Sequence, residues 1–311
     1  MMLAQLIKEQ LPTLIEKGNI RFDVPLAPYT SFKIGGPAEV FCQPQNIEEL
    51  IDILKVALSF NIPYFILGNG SNLLISDKGV DGIVIQTSAL NQLKHEGNLI
   101  EAYCGVTLKD LCYFAKEEGL SGLEFASGIP GTVGGAVFMN AGAYGSEIKD
   151  VLLSSDYLEP NLDSLNSLNP IKHLNANEHN FAYRKSIFQE KNLIHIKSVF
   201  QLQPEDPNII AEKMRSFEEK RKEKQPLDLP SAGSVFKRPE GFYTGKLIEQ
   251  CGLRGYQIGK AAISEKHCGF IVNLGGATAA DVLALIKYVQ ETVYNRFGVK
   301  LETEIRFLGK E

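Results

Sequence analysis

Three short stretches hold side chains suited to handling charge and protons. FAYRKS (181–186) sets Arg184 beside Tyr183. Read locally, that pair is a surface cation–π contact; the alternative is a guanidinium fork gripping a carboxylate. SAGSVFKRP (231–239) puts Ser234 between Gly233 and Val235, with Lys237 and Arg238 close behind. No His–Asp partner accompanies the serine, so a hydrolytic triad has no support. One reading is a loop entering a further domain; the other has Ser234 donating a proton and the cations binding phosphate. LETEIRF (301–307) alternates, with Leu301, Thr303, Ile305 and Phe307 facing one way and Glu302, Glu304 and Arg306 the other. By periodicity those charges form a solvated strand face, and nothing local singles out Glu304. His267, in SEKHCGF, lacks the spacing and neighbours of a metal ligand and reads as structural.

Two glycine-rich stretches offer backbone rather than side chains. SGIPGTVGGAVFMNAGAYG (127–145) holds Gly128, Gly131, Gly134, Gly135, Gly142 and Gly145, with Pro130 fixing one turn. So dense a set implies left-handed dihedrals or backbone pressed against something flat. N–H groups freed by such turns can cradle a phosphate or the edge of a ring. For any single glycine a tight connection between strands is the plainer reading; for the cluster a large cofactor is favoured. GNGSN (68–72) is a second candidate phosphate loop. It is not a dinucleotide fingerprint, since Leu73 replaces the third glycine, and no G-K-[ST] comes after it to make a Walker loop. The pair suggests a cofactor held by two separate stretches without a nicotinamide-type Rossmann domain.

The elements that must position these stretches alternate between strand and helix. EVFCQP (39–44), an apolar-striped helix from Ile47 to Phe60 and YFIL (64–67) form a βαβ unit that empties into GNGSN. GIVIQ (82–86) adds a strand. A second block starts at LIEAYCGV (99–106), with Thr107 and Asp110 as a helix start and Gly119 as its stop. Residues 151–200 read as antiparallel strands around a polar surface loop, with FAYRKS just before a β-like run. A charged helix runs from Asn208 to Lys224, and Pro226 and Pro230 mark a boundary. The last block holds a helix at 245–251, a strand pair around AAIS and GFIVN, a helix from Thr278 to Phe297 and the strand LETEIRFLG. The class is α+β, in three blocks: 1–88, 89–225 and 226–311.

Composition narrows the function classes. The chain has 311 residues, 44% hydrophobic and 22% charged, as in ordinary globular proteins. A formal net charge of −5 argues against nucleic acid or an anionic membrane as partner. No stretch approaches a membrane span. Lys8 and Glu9 stand where a signal peptide needs its apolar core, so the N-terminus reads as one amphipathic helix. Five cysteines, odd in number and without metal-type spacing, read as reduced core thiols in a cytoplasmic protein; no metal is expected.

Taken together, YTSFKIGG, LGNGSNLL, SGIPGTVGGAVFMNAGAYG, FAYRKS, AGSVFKRP, GYQIGKAAISEKH and LETEIRFLG resemble, in order, the UDP-N-acetylenolpyruvoylglucosamine reductases. The match spans about 29–309. The resemblance implies a two-part FAD-binding fold of the vanillyl-alcohol oxidase type (1–88 and 89–225) and a C-terminal α+β substrate domain (226–311). It implies non-covalent FAD, NADPH as reductant, a nucleotide-sugar substrate and a cytoplasmic enzyme, expected to be a monomer, of peptidoglycan synthesis. Carried over, the catalytic residues are Arg184, Ser234 and Glu304. The flavin contacts are Gly68, Asn69, Gly70, Ser71, Asn72, Gly128, Ile129, Pro130, Gly131, Gly134, Gly135, Ala136, Asn140 and Gly142. The substrate contacts are Tyr183, Lys224, Arg238 and Gln257, with Arg238 standing where longer members carry Asn. Two insertions of those longer members, one bearing a substrate-clamping tyrosine, are missing, which implies the shorter subtype. Two rivals are an oxidase of the same flavin fold and a non-catalytic nucleotide-sugar sensor. The first would want a flavin-tethering histidine in the glycine stretches, and the second would lack one of the catalytic three.

Overall fold

The structure, a computed structural model, describes residues 3–310. The chain divides into two compact units. One comprises 3–22, 40–69 and 82–220; the other comprises 23–39, 70–81 and 221–310. Two segments expected in the first block, 23–39 and 70–81, thus cluster with the C-terminal residues.

In the first unit, Leu50, Ile53, Leu54 and Ala57 form the buried stripe of the helix Ile47–Ser59. Asn46 caps it, its side chain accepting the Glu49 N–H at 2.8 Å. The stripe shares one core with Val40, Cys42, Ile83 and Ile85. The sheet beneath runs in the order Ile20–Pro25, Pro37–Cys42, Val80–Gln86, Tyr64–Leu67, the last two parallel. The expected N-terminal helix is two, Leu3–Gln10 and Pro12–Glu16. Pro12 has no N–H to continue the first, so it opens the second.

The unit's other sheet has five antiparallel strands in the order Ile171–Asn175, Leu152–Leu158, Ile194–Gln201, Leu99–Tyr103, Leu93–Glu96. Ile100 and Phe200 on it pack with Leu111 of the helix Leu108–Glu117 and with Val133 and Val137. Thr107 caps that helix, accepting the Asp110 N–H at 3.0 Å. Within this sheet lies a buried polar chain: His195 Nε2 to Ser198 Oγ (2.7 Å), Ser198 Oγ to Ser155 Oγ (2.7 Å), and Ser155 Oγ to His179 Nε2 (2.8 Å). His179 Nδ1 reaches the Asn175 carbonyl at 2.9 Å and must carry the proton there. The chain therefore runs one way, from a His195 Nε2–H donor to a His179 Nε2 acceptor. Burial, then the charge of His179, pushes the His195 pKa down to about 3.

The glycine-rich stretch is helical in its middle: Val133–Met139 holds Gly134 and Gly135. Of its six glycines only Gly145 has a positive φ; the left-handed positions are Asn140 (φ 43°) and Tyr144 (φ 56°). The glycines serve close approach instead. Gly134 donates its N–H to the Cys104 carbonyl at 2.9 Å, and a Cβ there would stand 3.0 Å from the Cys104 Cβ.

In the second unit, three short antiparallel strands, Gln257–Ile258, Ala261–Ile263 and Ile271–Asn273, carry the helix Ala279–Phe297. Its stripe of Val282, Leu285, Ile286, Val289 and Val293 is buried in one core with Ala261, Ile263 and Ile271. A Thr278/Asp281 capping box starts it and Gly298, φ 68°, ends it. The terminal strand is shorter than its alternation implies. The regular strand is Arg306–Leu308, parallel to Leu73–Ile75, and Phe307 is 40% exposed instead of sharing the buried face of Leu301 and Ile305. All five cysteines are free thiols. Among the described residues no helix is long and apolar enough to cross a membrane.

Candidate active site

The two glycine stretches meet in the first unit. A Cβ on Gly68 would stand 2.5 Å from Thr132 Oγ1, and Asn69 Nδ2 donates to the Pro130 carbonyl at 3.5 Å. The Thr132 hydroxyl caps Val133–Met139, accepting the Gly135 N–H at 3.4 Å. Among the described residues, the backbone N–H groups of Gly68, Asn69, Gly128 and Gly131 have no hydrogen-bond partner. Backbone amides beside chain that a Cβ at Gly68 would crowd offer the donors and the close approach a diphosphate needs. Gly135 is exposed, and a Cβ there would meet only Thr132 Oγ1, at 3.6 Å.

Past this helix the chain builds a mount for Arg184. Asn140 is fully buried; its amide donates to Glu147 Oε2 (3.0 Å) and the Ala182 carbonyl (3.1 Å) and accepts the Lys149 N–H (3.1 Å). Ala182 and Lys185 exchange both backbone bonds at 3.1 Å, so Tyr183 and Arg184 form the corner of a tight turn. Arg184 sits there at φ 56°, a conformation that costs a residue with a Cβ about 1–2 kcal/mol. Its guanidinium donates to the Gly142 carbonyl at 3.2 Å and the Asn140 carbonyl at 3.5 Å, and lies 5.1 Å from the Tyr183 ring. Arg184 thus makes the cation–π contact of its local reading, and two backbone carbonyls hold its guanidinium. The turn leads not into the expected β-like run but into one helical turn, Ile187–Glu190, before the strand Ile194–Gln201.

The second unit pairs the serine and glutamate segments. The Glu304 N–H donates to the Val235 carbonyl at 2.7 Å, and Lys237 N–H to the Glu302 carbonyl at 2.9 Å. Phe236 and Thr303 bridge antiparallel between them, and Ser234 bridges Phe270 on its other side. Asn72 Nδ2 donates to the Glu304 carbonyl at 3.2 Å, and Arg306 N–H to the Asn72 carbonyl at 2.9 Å. Ser234 and Glu304 are both half-buried.

The remaining candidates lie elsewhere in that unit. Arg238 stacks 3.9 Å from the centre of the Tyr243 ring and donates Nε–H to the Phe242 carbonyl at 3.2 Å. Gln257 lines a cavity of about 590 Å³ with Lys222, Asp228, Ser264, Glu265 and Lys266. Lys224, exposed, ends the helix Pro207–Lys224. His267 accepts the Gly269 N–H at 3.1 Å, and burial lowers its pKa.

Residues 38–161 match the FAD binding domain family, and residues 225–308 match the C-terminal domain of UDP-N-acetylenolpyruvoylglucosamine reductase. A reductase of that name from Caldanaerobacter subterraneus subsp. tengcongensis is 47% identical over 309 residues, 99% of this chain and 100% of its own length. The chain belongs to the UDP-N-acetylenolpyruvoylglucosamine reductase family. The reductase of Caldicellulosiruptor saccharolyticus is 51% identical over 301 residues, covering 95% of this chain and 94% of that one. The crystal structure of the Thermus caldophilus reductase superposes with a TM-score of 0.79 at 35% identity, covering 93% of this chain and 99% of that one. The family accounts for an FAD-binding fold joined to a separate C-terminal domain, and for a flavin-dependent oxidoreductase.

Two features of the reductase site escape a reading by motif. Thr132 ties the two glycine stretches together although it falls in neither the glycine nor the charged set. Gln189 anchors the Arg184 turn: its Nε2 donates to the Phe138 carbonyl at 2.6 Å and to the Arg184 carbonyl at 3.0 Å. A signal existed in Ser186-x-x-Gln189, the spacing of a capping box. The box is not formed; Ser186 Oγ also donates to the Phe138 carbonyl, at 2.8 Å.

Proposed function

We propose that the chain reduces UDP-N-acetylglucosamine enolpyruvate to UDP-N-acetylmuramate in peptidoglycan synthesis, with FAD as cofactor and NADPH as reductant. The observation that carries this reading is the backbone pairing of the Val235 and Glu304 segments. It brings the chain segments that carry Ser234 and Glu304 together within residues matching the reductase's C-terminal domain. FAD would rest on the Gly68–Asn72 and Gly128–Ala136 segments, with Gly142 nearby; bound, it supplies a hydride from N5 to the enolpyruvyl methylene. Asn140, whose amide is occupied by its own chain, serves that region by shaping it.

Hydride addition leaves negative charge at the carbon next to the substrate carboxylate. Arg184 stabilises that charge with charge-assisted hydrogen bonds. Glu304, when it carries a proton, hydrogen-bonds the same carboxylate. The Ser234 hydroxyl protonates the carbon. As a weak acid it works only in contact with the anion, and it recovers its proton from solvent. Tyr183, Lys224, Arg238 and Gln257 bind the remainder of the nucleotide sugar, Arg238 at its diphosphate.

In this reading residues 1–88 and 89–225 are the two FAD-binding subdomains and 226–311 the substrate domain. Only five residues separate the strand ending at Gln201 from the helix starting at Pro207, and five lie between Arg238 and Thr244. Both lengths support the shorter subtype. The enzyme works in the cytoplasm as a monomer. Anaerobic stopped-flow measurement of flavin reoxidation tests the function. Protein reduced by NADPH should regain its yellow colour on mixing with the enolpyruvyl nucleotide and not with UDP-N-acetylglucosamine. Reoxidation by oxygen alone would overturn the proposal.

A further inference from the structure

We infer that Gln189 is a positioning residue for Arg184, holding its strained turn in the conformation that aims the guanidinium; this rests on the reading of Arg184 as the group that stabilises charge on the substrate.

Both ends of Arg184 are tied to the C-terminal end of one helix, Val133–Met139. Its guanidinium meets the carbonyls of Asn140 and Gly142, just beyond that helix. Its own carbonyl accepts one hydrogen of the Gln189 amide, whose other hydrogen goes to Phe138, in the helix's last turn. A planar amide holding two carbonyls fixes the distance between them. At φ 56° the Arg184 peptide has a strong tendency to relax, and Gln189 is the side chain that grips its carbonyl. Asn140 holds the other arm of the turn through the Ala182 carbonyl. Without the Gln189 donors the Arg184 carbonyl loses its tie to the helix end, and the turn holds the guanidinium less firmly on the line set by Asn140 and Gly142. Gln189 is half-buried and sits in a four-residue helical turn, where its side chain caps nothing.

The test uses the FAD-loaded enzyme and Gln189→Met, which keeps length and loses both donors. We expect NADPH reduction of the flavin within twofold of wild type, and reoxidation by the enolpyruvyl nucleotide slowed about tenfold, the loss of roughly one hydrogen bond's worth of positioning. In an Arg184→Ala background the same substitution should slow reoxidation no further, because its effect passes through the arginine. Equal slowing of both half-reactions, or an additive effect on the Arg184→Ala background, overturns the inference. If Arg184→Ala reoxidises at the wild-type rate, the reading of Arg184 fails and takes this one with it. If Arg184→Ala is slow while Gln189→Met is not, only the role of Gln189 falls. Should Gln189→Met not fold, Gln189→Glu keeps the shape and gains a donor only when protonated. Its reoxidation rate relative to wild type should rise as pH falls from 8 to 5, and a flat ratio counts against Gln189.

Discussion

The backbone N–H of Glu304 donates to the carbonyl of Val235 at 2.7 Å, joining the glutamate to the residue next to Ser234. Neither side chain is held by that bond, yet it ties the backbone of the glutamate to the segment that carries the serine. In the proposed function the serine and the glutamate act in the second half-reaction alone. Ser234→Ala should leave NADPH bleaching of the flavin within twofold and slow reoxidation by the enolpyruvyl nucleotide by about two to four orders of magnitude, the usual worth of a proton donor. Stopped-flow absorbance in the flavin band measures both, and equal slowing of the two removes the serine from the chemistry.

Arg184→Lys keeps the charge and discards the fork. A lysine ammonium cannot span the Asn140 and Gly142 carbonyls while presenting a planar edge to a carboxylate. Reoxidation should fall by about a hundredfold, in the range found for removing one oriented donor. A variant with wild-type rates would show that a point charge suffices.

Gly135 separates packing from ligand. The space beside it is open within the protein, the nearest atom being Thr132 Oγ1 at 3.6 Å from a built Cβ. Gly135→Leu should therefore leave the melting temperature of flavin-free protein nearly unchanged while weakening FAD retention about tenfold or more, one or two kcal/mol of lost approach. Flavin-to-protein absorbance after gel filtration reads the outcome. Full flavin retention would place the isoalloxazine and pyrophosphate away from this helix.

The buried His195 makes stability depend on pH. Its folded pKa, near 3 through burial, lies below the ordinary value of about 6.5 that it regains on unfolding. Between these values the unfolded chain binds the extra proton, so the contribution is complete above about pH 6.5 and is lost as pH falls toward 3. At pH 5 that amounts to about 2 kcal/mol. A proton on His179 would also reverse the donor order through Ser155 and Ser198 and leave a donor without an acceptor at His195. Urea midpoints at pH 7 and pH 5 check this against His195→Gln, which should show the smaller drop. Equal drops in both proteins would relieve His195 of the role.

What could be read in the sequence was local, and what could not was set by distant partners. The helix Ala279–Phe297 announces itself by Thr278, Asp281, a 3.6-residue stripe and Gly298, all within its own span. The glycine stretch signalled a special backbone but not its reason: Gly134 yields to Cys104, thirty positions earlier, and Gly68 to Thr132. LETEIRF alternates like one strand, yet its first half bonds to 235–237 and its second to 73–75, so its pattern of faces breaks at Phe307. Arg184 looked like a surface contact because the amides of Asn140 and Gln189 that build its turn are invisible from FAYRKS. Arg184, Ser234 and Glu304 stood out as candidates through resemblance; the residues that hold their segments did not.

The second unit draws on residues 23–39, 70–81 and 221–310, and its bond from Asn72 to Glu304 closes a span of 232 positions. During synthesis the early segments of that unit emerge long before their partners exist, while the first unit is complete by residue 220. Closing so long a loop is slow relative to local helix formation. On the proposed function, a half-made chain thus lacks the serine that would protonate the substrate. Bleaching by NADPH should appear during refolding before turnover does, and the lag between them times the completion of the second unit.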